Sequence, residues 1–334
     1  QRLANGQYTI RAAGIDQDAD DLPGNFEDNS KFDGWRGTVE TKGQFALSSW
    51  WKVGWDVTLE SDDEFRRFYK LDNILLQDRV NQVYLVGQSD RNYFAARLYH
   101  FGGLSFDDTN QAESYTHPII DHNYVFADPI LGGELKVDTN AVSFTRDDGA
   151  SGGSLDQTVN RIATQVQWRR RLTDQIGITY TPFANLRGDI YQFDNFTDPE
   201  SVDANGEGGV LVDDGTEFRG VAAGGATVTY PWIANTQTAS HIIEPIGQII
   251  ARQASVTQRR LPDEDARSLV FDDTNLFEVS KFSGYDRIET GTRANVGVQY
   301  TFQANNGGYA RLLAGQSFHL DAGLAGGARG DFAM

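Results

Sequence analysis

Trp51-Lys52-Val53-Gly54-Trp55-Asp56-Val57-Thr58-Leu59 alternates without a slip: every odd position is apolar and every even one is charged, small or polar. Successive side chains of a β-strand point to opposite faces, so the run makes a strand with a Trp/Val/Trp/Val/Leu face and a Lys/Gly/Asp/Thr face. The same period returns outward along the chain. Residues 37–47 set Val39, Phe45 and Leu47 against Glu40, Lys42 and Gln44. Residues 178–191 set Ile178, Tyr180, Pro182, Ala184, Leu186, Gly188 and Ile190 against Thr179, Thr181, Phe183, Asn185, Arg187, Asp189 and Tyr191. Residues 293–302 set Val296, Val298, Tyr300 and Phe302 against Arg293, Asn295, Gln299 and Thr301. Recurring dyads of this length, with Trp and Tyr near the ends of the apolar face, are the pattern of a membrane β-barrel.

The spacing of these runs and of the turn signals between them predicts about a dozen to fourteen antiparallel strands, each about the nine to eleven residues that a tilted strand needs to cross a bilayer. Ser48-Ser49 and residues 89–92 read as short turns, whereas residues 16–33 and 193–219 read as long acidic loops. That asymmetry is expected when one end of a barrel faces the periplasm and the other the exterior. No convincing helix is predicted; residues 73–83 come nearest. A charge at mid-depth in lipid costs a few kcal/mol. In a barrel, therefore, Lys52, Asp56, Arg187, Asp189 and Arg293 face the lumen, and Trp51, Val53, Trp55, Val296 and Val298 face lipid. In a soluble β-sandwich the polar faces would simply meet water. Strand length, aromatic content and loop asymmetry together favour a partial transmembrane barrel, and an open sheet of this size would leave two long edges unpaired.

Composition narrows the function. The chain of 334 residues has no cysteine, which excludes thiolate nucleophiles and zinc–thiolate sites. Its net charge of −18 argues against nucleic acid as a partner. No apolar run approaches the roughly 18–20 residues of a spanning helix. The mean hydropathy of −0.47 suits a barrel with a polar lumen and a soluble protein equally. Asp16, Asp18 and Asp20 with Glu27 imitate a calcium-loop spacing, but Asp21 stands where the turn needs glycine and Pro23 follows, so the stretch reads as a solvated acidic loop. Phe-Asp-Asp-Thr-Asn occurs at 106–110 and again at 271–275 in unlike surroundings and reads as coincidence, as does Arg329-Gly330-Asp331 in its glycine-rich tail. His117 and His122 flank Asp121 and read as an interfacial or luminal pair rather than a metal site. There is no nucleophile elbow and no phosphate loop. No catalytic, cofactor or metal site is expected. Both ends read as cuts within a longer protein.

Certain runs carry a resemblance. Asp272-Asp273-Thr274-Asn275-Leu276-Phe277, Lys281-Phe282-Ser283-Gly284-Tyr285-Asp286-Arg287-Ile288-Glu289 and Gly291-Thr292-Arg293-Ala294-Asn295-Val296-Gly297 resemble the LPS-assembly protein LptD family, also called the organic solvent tolerance protein or OstA family. So do His241-Ile242-Ile243-Glu244-Pro245-Ile246-Gly247-Gln248 and Gly315-Gln316-Ser317. Residues 7–15 and 35–59 look like early strands of that barrel, especially as it occurs in alphaproteobacteria. The resemblance implies an integral outer-membrane barrel of Gram-negative cells that is not an enzyme. It implies a lipoprotein plug of the LptE type, periplasmic Lpt bridge proteins as partners, and lipopolysaccharide as cargo released into the outer leaflet. Residues 1–334 would be the central part of the barrel, without the periplasmic jellyroll domain, the first strands or the last strands. A porin-like diffusion channel and a soluble sugar-binding β-sandwich are the alternatives.

Overall fold

The computed structural model describes residues 2–18, 34–62, 65–71, 79–102, 114–146, 157–194, 196–202, 208–212, 215–253, 261–265, 274–320 and 330–333. Among these residues the chain is an antiparallel all-β fold in which thirteen strands run ten residues or longer. The chain divides into two compact units. One comprises Gln1–Asn123, Asn140–Ile162 and Tyr191–Thr216, the other Tyr124–Thr139, Ala163–Ile190 and Glu217–Met334.

In the first unit the strands Gly6–Gln17, Gly34–Ala46, Trp51–Glu60, Arg79–Ser89, Asn92–Gly102 and Ser114–Val125 pair in sequence order. Register follows the alternation: Gly43 lies opposite Trp55, which lies opposite Val83, which lies opposite Leu98. The glycines that interrupt these strands sit under aromatic rings of the neighbouring strand. A Cβ on Gly43 would stand 2.5 Å from the Trp55 ring, one on Gly54 2.3 Å from Tyr84, and one on Gly87 2.8 Å from Trp51. The missing side chain makes room for the ring, which covers the backbone in its place. Trp55 also stacks on Phe45 at 5.8 Å and donates its indole N–H to Thr41 Oγ1 at 2.9 Å.

In the second unit Gly215–Thr229, Ala239–Arg252, Arg293–Ala304 and Tyr309–His319 form an antiparallel meander. Gly297 pairs with both Ile246 and Gly315. Thr179–Asp194 alternates as its sequence predicts, with Leu186 60% and Ile190 45% exposed while Asp189 is 2% exposed. The distribution inverts that of a water-soluble core: apolar side chains stand out and arginine, aspartate and asparagine are packed away. Arg293 and Asn295 are fully buried, whereas Val296 and Val298 on the other face are 50% and 47% exposed.

One local expectation fails and two are sharpened. The helix-like stretch 73–83 is a strand from residue 79 onward, its earlier part lying outside the described residues; the helix that does form is the short Phe65–Phe68. That turn is held because Phe65, Phe68 and Tyr69 surround the Arg36 guanidinium, which pairs with Asp62 through Nη2 at 2.7 Å and Nε at 2.9 Å. The loop expected at 193–219 holds an antiparallel pair, Phe196–Val202 with Gly208–Val212, and the next strand begins at Gly215. The turn at 89–92 tightens until Ser89 pairs with Asn92, with Asp90 in the left-handed region at φ 49°. Aspartate tolerates that region better than most residues. The calcium-like spacing beyond Asp18 and the pentapeptide at 106–110 lie outside the described residues, as does Arg329. No described helix is long and apolar enough to cross a membrane, which says nothing of strands.

Candidate functional site

Three of the runs that carry the family resemblance, within 241–248, 274–297 and 315–317, come together in the second unit. Residues 274–292 lie on the buried polar face of the meander. Arg293, Asn295, Gly297, Gly315 and Ser317 share that face because their parity puts them opposite Val296 and Val298. Gly297 and Gly315, paired across the strands, leave a gap without side chains, and Leu276 and Phe277 fill it. A Cβ on Gly315 would stand 2.5 Å from Leu276 Cδ2, and one on Gly297 3.1 Å from Phe277 Cζ. Leu276 is fully buried there. Gln248 donates to Phe277 O at 2.9 Å and to Thr227 Oγ1 at 3.0 Å, and accepts from Asn295 Nδ2 at 2.7 Å. Lys281 Nζ donates to Ser317 Oγ at 3.4 Å.

Two arginine–carboxylate–arginine triads anchor the segment. In the first, Asp189 accepts from Arg187 Nε at 2.8 Å and from Arg219 Nε at 2.6 Å. Arg219 then donates to the backbone carbonyls of Asp286 and Tyr285, each at 2.7 Å, and Arg187 also donates to Tyr285 O and lies over the Tyr285 ring at 5.2 Å. In the second, Glu289 pairs with Arg293 at 2.6 Å and with Arg252 at 3.4 Å, and Arg293 donates to Glu278 O. Each triad carries one excess positive charge. Carbonyl groups of the segment solvate that excess for Arg187, Arg219 and Arg293, which explains how such charges are tolerated away from water.

The segment also holds itself. Asp286 Oδ2 accepts from the backbone N–H of Glu264 and Asp265 at 2.7 and 3.0 Å, and Asp265 Oδ1 accepts from Tyr285 and Asp286 N–H, both at 2.9 Å. Gly284 turns the chain between them at φ 67°, where a Cβ would meet Asp265 O at 2.4 Å.

A family model described as LPS transport system D matches residues 34–324. The chain belongs to the LptD family. No curated protein matches it. LptD-family proteins are outer-membrane β-barrels with a role in lipopolysaccharide transport and assembly, not a family of enzymes. Membership accounts for antiparallel strands whose apolar side chains are exposed and whose arginines are buried.

Of the residues singled out from sequence, this LptD-family site brings together Arg187, Asp189 and Arg293. Lys52 and Asp56 belong to the first unit and take no part. Lys52 is exposed, and Asp56 pairs with Lys42 at 2.5 Å. Val296 and Val298 lie on the exposed face. Trp51 is exposed, while Val53 and Trp55 are partly covered. Sequence reading missed Arg219, Arg252 and Glu289. Arg219 was hidden in a stretch read as loop, although Arg219, Val221 and Ala223 share one parity. His122 rests on the Phe94 ring at 6.3 Å. Among the described residues no three histidine or acidic side chains gather as a metal group.

Proposed function

We propose that this chain is the central part of the barrel of an LptD-type translocon, which inserts lipopolysaccharide into the outer leaflet of the outer membrane together with an LptE-type lipoprotein. On this reading Trp51, Val53, Trp55, Val296 and Val298 face lipid. Lys52, Asp56, Arg187, Asp189 and Arg293 face the lumen, where the saccharide and the plug are accommodated. The observation that carries the reading is the convergence of these three resemblance-bearing runs on one buried polar face, opposite an exposed apolar one. A charge is tolerated within membrane depth only where it faces protein or water, and an exposed valine is at home in lipid.

The test is fractionation of the full-length parent with and without co-expressed LptE, followed by a heat-modifiability gel shift. A shifted, detergent-dependent band that requires LptE is expected. A shifted band indifferent to LptE, with stable ion conductance, would replace the translocon by a diffusion channel. A protein soluble without detergent would end both readings. Photo-crosslinkers at positions 52 and 56 of the working protein should label lipopolysaccharide or the plug.

A further inference from the structure

Beside the two triads lies a cavity of about 220 Å³, bounded by strand residues on one side and by the docked segment on the other. Liquid water occupies about 30 Å³ per molecule, so the space is on the scale of a single substituted sugar ring. Gln165, Gln167, Asn185, Arg187, Arg252 and Glu289 supply its polar lining. Glu278 also borders it, but that residue is exposed.

Arg252 is the anomaly. Its side chain is 3% exposed, yet neither terminal nitrogen makes a hydrogen bond, and its ion pair with Glu289 is a long one at 3.4 Å. The Asn185 side-chain oxygen is likewise buried without a partner. Arg187, Arg219 and Arg293 each reach a backbone carbonyl of the segment. Arg252 has no such acceptor. A guanidinium offers donors in a fixed fork that matches the two oxygens of a phosphate or carboxylate. The Gln165 and Asn185 amides can both donate to and accept from hydroxyl groups, whereas Gln167 already donates to Asp138 Oδ2 at 2.9 Å and offers chiefly its oxygen.

The geometry points to a binding site for an oxyanion carried on a sugar, with Arg252 holding the phosphate or carboxylate and Gln165, Gln167 and Asn185 holding ring hydroxyls. This assignment rests on the reading of the polar face as the saccharide's route, and it names the subsite at which the sugar's charged group pauses. Arg187 stays engaged with Asp189 and supplies long-range attraction.

The test titrates the full-length protein, purified in detergent with its lipoprotein partner, with glucose 1-phosphate, glucuronate, inorganic phosphate and glucose. Binding is read by saturation-transfer NMR. At least one of the two anionic sugars should bind saturably, with glucose and inorganic phosphate at least about tenfold weaker; which sugar binds identifies phosphate or carboxylate as the group held. Arg252→Gln should lose about tenfold in affinity while keeping its heat-modifiable fold, because Glu289 keeps its closer partner Arg293 at 2.6 Å. Asn185→Ala leaves the charge network alone and should weaken binding about threefold, so the site remains testable if the first variant does not fold. Equal binding of glucose, full binding by phosphate alone, or unchanged affinity in the variants that fold would each overturn the proposal. The titration contains no lipopolysaccharide, so its failure leaves the transport reading standing. Failure of the LptE-dependent gel shift, in turn, would not abolish sugar binding by Arg252.

Discussion

Asp189 shows how burial, more than distance, sets the worth of a charge in this protein. Its side chain is fully buried and each carboxylate oxygen accepts from a different guanidinium. Removing one partner from a buried ion pair leaves an uncompensated charge and costs about 3–5 kcal/mol. Asp189→Ala strands both Arg187 and Arg219, and a loss of about that size is expected as a lower temperature for conversion of the folded gel band. Lys42 and Asp56 approach within 2.5 Å but are 73% and 36% exposed. Solvent screening leaves such a pair worth about 1 kcal/mol or less, so Lys42→Gln should barely move the same transition. If the two variants shift it equally, Asp189 is not the buried keystone that its contacts indicate.

At the scale of an element, each strand has two faces with opposite tolerances. Val298→Lys puts a charge on the exposed apolar face and should cost about 2–4 kcal/mol of insertion stability if it lies near mid-membrane. Lys52→Gln should be mild. Equal yields of folded protein from the two would refute the face assignment. The segment 274–292 depends on a different feature, the gap at Gly297 and Gly315. Gly315→Val fills the space that Leu276 occupies and should expose the segment to limited proteolysis while the strands stay assembled; unchanged resistance would mean that Leu276 does not need the gap. The faces were legible from sequence because the alternation is unbroken at 51–59 and 293–302 and is interrupted at 178–191 only by Phe183 and Tyr191 on the polar face. The segment's docking was not, because it depends on cross-strand register: nothing local to Gly297 or Gly315 says that they pair, or that Leu276 fills the space they leave. Arg219 escaped for a related reason, since glycine-rich and acidic flanks masked the start of its strand. The short helix was missed because Phe65, Phe68 and Tyr69 are organised by Arg36, which lies on a different strand.

For the whole molecule, the net charge of −18 makes like-charge repulsion the first obstacle to an anionic cargo. Arg36, Arg161, Arg219 and Arg293 are all buried, and Arg187 and Arg252 are nearly so, so these cations offer little to an anionic partner approaching from outside. Lipopolysaccharide is itself anionic, and two surfaces of one sign repel over about a Debye length, roughly 10 Å at 0.1 M salt. Hard divalent cations bind carboxylate and phosphate oxygens together and can bridge such surfaces. Contact outside the buried site should therefore depend on divalent ions. Chelation should reduce the lipopolysaccharide that co-purifies with the full-length protein, and magnesium should restore it. Monovalent salt should recover only part of the loss, because it screens repulsion without forming bridges. Retention indifferent to chelation would place the decisive contacts on the buried arginines instead, and Arg252→Gln would then become the variant that releases the cargo.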